Sequence, residues 1–370
     1  MVISLIRERK LSHLEICLKK PVSFRNISTG FDDIFLIHNS LPEFDLEDID
    51  LQVEFFGHKF NAPIIISAMT GGSKLSYKVN RALALAAERL GIGMGVGSQR
   101  IALERPEFSY TFSIVRESAP NIFVMGNIGA AQFSLKYGLD EAFKAVEMVD
   151  ADALAVHLNP LQEAVQPEGE PFYDGVLEKL KLLSSSLKVP IIAKETGSGI
   201  SGEVAAKLEK VGVSGVDVGG AGGTSWAAVE YYRSLEAGDL SHASLAELFW
   251  DWGIPTAISI CEVSFHTNLP IIATGGVRSG IDIAKALALG ASLAGIALPL
   301  LKPAVENGVK GVLSYLERLI NELKVAMFLV GARRIADLKR IPLIIGGFTG
   351  NWLKLRGISL EEYARRGGKL

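Results

Sequence analysis

The segment HLNPLQE gathers His157, Asn159, Gln162 and Glu163 into seven residues, so an imidazole, two amides and a carboxylate fall close together. Such a group can position a polar substrate or contribute to a metal site. One carboxylate cannot make an all-protein cage, but it can hold Mg²⁺ if substrate phosphates supply the other oxygens. His157 alone also fits a hydrogen-bonded core histidine, whereas the group as a whole is hard to explain as packing. Farther along, IIAKETG ends an apolar run on Lys194. An unpaired ammonium is costly to bury. Two readings follow: an ion pair with Glu195 or another carboxylate, or a cation facing an electron-rich ring or a substrate anion.

Glycines carry a second signal. VGGAGGTS ends near Thr224, and TGGVRSG sets Gly275, Gly276 and Arg278 just before a helical pattern, with AGIALP following later. Glycine lets backbone N–H groups approach a phosphate closely, and a helix N-terminus adds a favourable dipole. Tight turns without a ligand would use the same residues, but two such loops together favour phosphate binding. Arg9, Lys10 and His13 form a basic leader. Alone they read as a solvated helix face; folded over a binding site they would make a lid for an anion.

These residues need a scaffold that brings them together, and the apolar runs supply one. Short candidate strands lie at Pro63–Ser67, Ile92–Gly97, Ile122–Asn127, Ala153–Leu158, Pro190–Glu195, Gly215–Val218, Pro270–Thr274 and Leu293–Ala297. Most are continuously apolar, as a parallel sheet buried on both faces requires. Amphipathic stretches follow them, including Tyr77–Leu90, Leu139–Val149, Ser201–Val211 and Ser279–Leu289. Eight such units predict a closed (β/α)8 barrel, because closure removes both sheet edges. A doubly wound sheet is the alternative if one strand, the glycine-rich second above all, is miscounted. Residues 1–61 are expected as a leader or lid, 62–305 as the barrel and 306–370 as a helical flank, all in one domain. Residues 227–251 read as an insertion between the sixth and seventh strands. In this fold chemistry gathers at the C-terminal ends of the strands, and that is where the groups named above fall, the basic leader apart.

Composition narrows the function classes. Net charge is −3 with both signs dispersed, which argues against a nucleic-acid partner. The two cysteines, Cys17 and Cys261, suit a reducing cytoplasmic setting and no structural zinc site. No signal peptide is evident. The uncharged run from Ala286 to Leu301 is short for a membrane span and contains Gly290, Gly295 and Pro299, so a buried helix end leading into a strand explains it.

With RKLSH, SAMTGG, GVGSQR, GNIGA, HLNPLQE, KETGSGIS, DVGGAGGTSW and ATGGVRSG in this order, the chain closely resembles the type 2 isopentenyl-diphosphate isomerases, FMN-dependent barrel enzymes, over nearly its whole length. The resemblance implies interconversion of isopentenyl and dimethylallyl diphosphate, with reduced FMN as the acid–base element and no net redox change. It assigns FMN to Ala68, Met69, Thr70, Ser98, Asn127 and Lys194, and also to Thr224, Gly275, Gly276, Arg278, Ala297 and Leu298. Substrate falls to Arg9, Lys10, His13, Ser98, Gln99, Arg100, His157, Asn159 and Gln162, and Mg²⁺ to Glu163. Lys194, His157, Gln162 and Glu163 become the catalytic set; Trp226 would lie near the isoprenoid tail, and Gln162 or Glu230 would assist proton transfer. NADPH or another reductant would prime the flavin, and a tetramer or octamer is expected. An FMN-dependent 2-hydroxy acid oxidase is a rival, but it needs a histidine where Gly219–Thr224 has none. An inosine-monophosphate dehydrogenase-like enzyme needs a nucleophilic cysteine in a barrel loop, and neither cysteine suits. A catalytically silent phosphate-binding barrel is a third alternative, weakened by the cluster around Glu163.

Overall fold

The computed structural model describes the backbone of residues 2–367 and the side chains of residues 9–367. Eight parallel strands close into a barrel: β1 Ile64–Ile66, β2 Gly93–Gly95, β3 Val124–Gly129, β4 Ala153–Leu158, β5 Ile191–Glu195, β6 Gly215–Asp217, β7 Ile271–Ala273 and β8 Leu293–Ile296. Each strand pairs with the next, and Ala294–Ile296 of β8 pairs with Ile64–Ile66 of β1 to close the ring. The expected eight-stranded barrel is therefore the observed one. Several strands are shorter than their apolar runs, and β2, flanked and filled by glycine, keeps only three paired residues.

Side chains alternate across each strand. Ile65, Met125, Ala155, Ile192 and Ile272 point into the barrel and form one apolar cluster with Leu293, Phe55 and Phe60. The two phenylalanines come from the hairpin Val53–Phe55/His58–Phe60, which packs against this interior core. Two residues beyond the inward apolar positions lie Ser67, Asn127, His157, Lys194 and Thr274, all of which line a cavity above the core. Period-two alternation thus converts five separate strand ends into one polar layer.

The leader opens with one helix, Val2–Lys19, whose Arg9, Lys10, His13, Leu14 and Cys17 line the same cavity. The insertion after β6 consists of helices Trp226–Glu236 and Leu240–Leu248. After β8 a helix runs Leu298–Leu329, interrupted at Gly308 (φ 57, ψ −141). The boundary expected after residue 305 falls inside this helix, just before its break. Strand Ile34–Leu36 pairs antiparallel with Leu343–Ile345, so the leader and the flank are tied to each other. Among the described residues no helix is long and apolar enough to cross a membrane; Ala286–Leu301 resolves into a helix end, β8 and a helix start.

Candidate active site at the barrel mouth

Register explains the centre of the site. His157 pairs with Lys194 across β4 and β5, and Lys194 pairs with Asp217 across β5 and β6. Three chemically able side chains therefore stand in one row on the inner face. Asp217 Oδ2 lies 2.9 Å from Lys194 Nζ, and the ammonium donates to the Glu195 carbonyl at 3.0 Å. The carboxylate partner of Lys194 is thus Asp217 and not Glu195. The Glu195 carboxylate instead accepts the backbone N–H groups of Thr196 and Gly197 at 2.6 Å and that of Ser198. Burial pushes its pKa up to about 7 despite those bonds. It braces the loop whose Thr196 and Gly197 line the cavity.

His157 Nδ1 lies 2.9 Å from Asn127 Oδ1, while Asn127 Nδ2 donates to the Val96 carbonyl at 3.0 Å. That second bond orients the amide, so the oxygen faces His157 and Nδ1 carries the proton. Nε2 is left as an acceptor. Burial, followed by the cations Lys194, Lys10, Arg9 and Arg100, holds the imidazole's pKa down at about 3. The ring is neutral at physiological pH.

On the β2–β4 side the cavity is cationic. Lys10 Nζ donates to the Ser98 carbonyl at 2.6 Å and sits 5.2 Å from the centre of the Phe112 ring. Its burial, with Arg9 and Arg100 nearby, lowers its pKa to about 7. Arg100 is held by Glu170 through two bonds of 2.6 and 3.2 Å and by Glu104 at 3.0 Å, so three of its five N–H donors are engaged. Beside these cations Glu163 is buried and accepts from Asn159 Nδ2 at 3.1 Å, Gln166 Nε2 at 2.7 Å and Glu170 N at 2.8 Å. Among the described residues no three His, Cys, Asp or Glu side chains form a metal cluster, so Glu163 stands as a single carboxylate.

The leader is fastened by His13, whose Nε2 lies 2.8 Å from Glu230 Oε1 and whose ring meets Trp226 edge-on at 5.2 Å. Glu230 is fully buried and also accepts from Gln162 Nε2 at 3.4 Å and Arg233 Nε at 2.7 Å. Burial works against its charge, yet His13 and Arg233 hold its pKa at about 2. Glu230 does not line the cavity; it anchors two side chains that do.

On the β7–β8 side the cavity is lined by Gly275, Gly276, Arg278, Ala297 and Leu298. Gly275 has φ +104, and a Cβ there would fall 2.1 Å from the Gly220 carbonyl oxygen, so only glycine fits. Arg278 is exposed and forms no ion pair among the described residues. One expectation needs correction. The helix after the glycine loop, Gly280–Leu289, has its N-terminus closed by Ser279 and Asp282 and by Glu322 on Gly280 N. The helix start that reaches the cavity is instead the one at Leu298.

The structure brings every expected site residue to this cavity except Gln99 and Glu230, the latter reaching it only through His13 and Gln162. Gln99 is fully buried and turned outward, where its Nε2 donates to the Ala145 carbonyl at 2.8 Å and its Oε1 accepts from Asn127 N at 2.8 Å. It therefore supports Asn127 and does not meet a ligand. Asp217 was not singled out from the sequence; an acidic residue two positions past an inward glycine was its available signal. Cys17 lines the cavity although it lies in the leader, and burial, then Glu230, pushes its thiol up to about 12. It is no thiolate nucleophile.

Comparison with known proteins decides the family. The profile of the FMN-dependent dehydrogenase family matches residues 5–105 and 137–344. An isopentenyl-diphosphate delta-isomerase of Thermococcus kodakarensis is 54% identical, covering 97% of this chain and 96% of its own. One from Pyrococcus furiosus is 53% identical over 98% and 92%, and one from Methanosarcina mazei 48% over both complete chains. The chain belongs to the isopentenyl-diphosphate delta-isomerase family. This delta-isomerase barrel is also similar to a flavocytochrome b2 variant with sulfite bound (TM-score 0.67, 20% identity, 97% of this chain and 89% of that one). A mandelate oxidase variant is similar at TM-score 0.65 and 17% identity, covering 92% and 94%. At such identities these likenesses speak for the barrel fold alone.

Proposed function

We propose that this delta-isomerase family member interconverts isopentenyl and dimethylallyl diphosphate at the barrel mouth, with FMN as cofactor and Mg²⁺ on the diphosphate. The observation that carries this reading is one cavity lined by two separate groups of residues suited to anions. Glycines, Arg278 and a helix start lie on the β7–β8 side; Arg9, Lys10, Arg100 and Glu163 lie on the β2–β4 side, with Lys194 rising between them from β5. Relatives named for the same activity align over nearly the whole chain.

The cavity suits a flavin phosphate and ring. Ser67 Oγ is buried there without a hydrogen-bond partner, and Arg278 lacks an ion-pair partner among the described residues. Gly275, Gly276, Arg278, Ala297, Leu298 and Thr224 would hold the phosphate end. Ala68, Met69, Thr70, Ser98, Asn127 and Lys194 would hold the ring. Reduced FMN supplies the acid–base element that an unactivated alkene, a very weak base, cannot draw from ordinary side-chain acids.

The chain's own residues do the rest. Lys194 presents an ammonium to the ring and stabilises negative charge on it. Arg9, Lys10 and Arg100 would neutralise the diphosphate, and Glu163 is the carboxylate that would hold a Mg²⁺ brought with it. His157, protonated on Nδ1, offers Nε2 as an acceptor, and Gln162, held by Glu230 and Asn159, orients the substrate. Leu14, Leu298 and Trp226 form an apolar wall for the hydrocarbon. A reductant such as NADPH primes the cofactor without being consumed in each turnover.

The oxidase alternative is disfavoured because Gly219–Thr224 offers no histidine base. The deciding assay follows isomerisation with reductant and without it. Turnover is expected only with reduced FMN and Mg²⁺; full activity in air with oxidised flavin and no reductant would refute the reading.

Lys10 predicts the pH dependence. With its pKa at about 7 in the free protein, it carries full charge only below that pH. An anionic substrate must then drive proton uptake at higher pH, so KM rises by up to about tenfold per unit above 7. Lys10→Arg keeps the cation, and its KM profile should be flatter across the same range. Parallel profiles for parent and variant would remove this role from Lys10.

A further inference from the structure

Asp217 is 1% exposed and does not line the cavity, yet it is the one ion-pair partner of Lys194 among the described residues. Its other oxygen, Oδ1, accepts from the Thr274 hydroxyl. Thr274 Oγ1 itself accepts from Gly219 N at 3.0 Å, so the hydroxyl proton is directed at Asp217. The carboxylate is thereby locked from β7 and stands beside the ammonium on β5.

The Lys194 ammonium has three N–H donors. One goes to the Glu195 carbonyl at 3.0 Å and one faces Asp217, which leaves one for the cavity. The Asp217 contact is a close charge pair whose geometry is not that of an aligned hydrogen bond. Position and charge, more than one directed bond, are what Asp217 provides. A buried ion pair is a poor source of stability compared with apolar side chains of similar volume. Its presence in an otherwise apolar strand therefore calls for a role beyond packing. The other titratable groups beside Lys194 are His157, its register partner on β4, and the Glu195 carboxylate turned into its own loop, while Arg9, Lys10 and Arg100 line the same cavity. Asp217 is thus the acid that offsets the ammonium from behind.

We propose that Asp217 is a positioning residue acting through Lys194: it sets where the ammonium stands and how strongly the cavity favours the reduced, anionic cofactor over the oxidised one. This rests on the FMN reading above and extends it. Removing the acid should make the site hold negative charge on the ring more firmly and return protons less readily.

Asp217→Asn removes the charge and nearly preserves the shape. The ratio of affinities for reduced over oxidised FMN is expected to rise about tenfold or more, with a matching upward move of the bound midpoint potential. At saturating substrate kcat should fall about tenfold or more while KM changes little. Thr274→Val removes the hydroxyl that orients Asp217 and should shift the ratio in the same direction by less, and Thr274→Ser should bring it back towards the parent. The Thr274 pair carries the test if Asp217→Asn does not fold. An unchanged or lowered ratio in Asp217→Asn, or equal loss of both FMN forms, overturns the proposal, as do Val and Ser variants that behave alike. The parent protein separates the two readings. Failure of the parent to bind FMN or to isomerise sinks the proposed function, whereas a working parent with an indifferent Asp217→Asn sinks only this inference.

Discussion

Lys194→Ala is expected to abolish detectable isomerisation and to lower folding stability by about 3–5 kcal/mol. The two effects have separate origins. The lost ammonium is the charge that faces the cofactor ring in the proposed site, so reduced FMN should bind markedly less well. The lost stability comes from Asp217, a carboxylate 1% exposed in the parent that is left with only the Thr274 hydroxyl as a partner. A double variant separates them. Lys194→Met with Asp217→Asn removes both charges, and denaturant unfolding should return to within about 1 kcal/mol of the parent while activity stays absent. Normal turnover in Lys194→Ala would remove its catalytic role. A double variant as unstable as the single one would show that the buried charge is not what destabilises it.

Glu163→Gln is expected to cost at least about 100-fold in kcat/KM, with the Mg²⁺ requirement shifted to much higher concentration. The carboxylate accepts from Asn159, Gln166 and the Glu170 amide, which hold both of its oxygens at the cavity wall. An amide in its place turns an NH2 group towards at least one of these donors and takes away the negative charge proposed to hold the cation. FMN binding should be untouched, because the β7–β8 side and Lys194 lie elsewhere on the rim. The measurement is Mg²⁺ activation at saturating substrate together with the flavin absorbance spectrum. Unaltered Mg²⁺ activation would free Glu163 from the metal. Loss of the flavin spectrum would instead mean that the change had disturbed the whole mouth.

Much of the site was legible because strand ends in a barrel share one rim. Once eight apolar runs are recognised, whatever follows each of them must converge, which is why His157, Lys194, Gly275 and Arg278 could be named together. Adjacent residues at a strand end were harder to sort. Ser98 and Gln99 follow the same run, and only the closed sheet shows that Ser98 lines the cavity while Gln99 turns outward to Ala145. The glycine loop does line the cavity, as its place after a strand implies, but the helix it precedes is capped by its own Ser279 and Asp282.

From the residues alone came the eight-unit barrel, the rim as the place of chemistry, and the pairing of glycine loops with the HLNPLQE group. Apolar runs buried on both faces and helical stripes between them are local patterns, and local patterns survive in a linear string. The partner of Lys194, the route of the leader across the mouth and the anchoring of His13 by Glu230, 217 residues away, belong to the tertiary structure. They depend on strand register, barrel closure and the seating of one helix, and none of these has a signature within a short window of sequence.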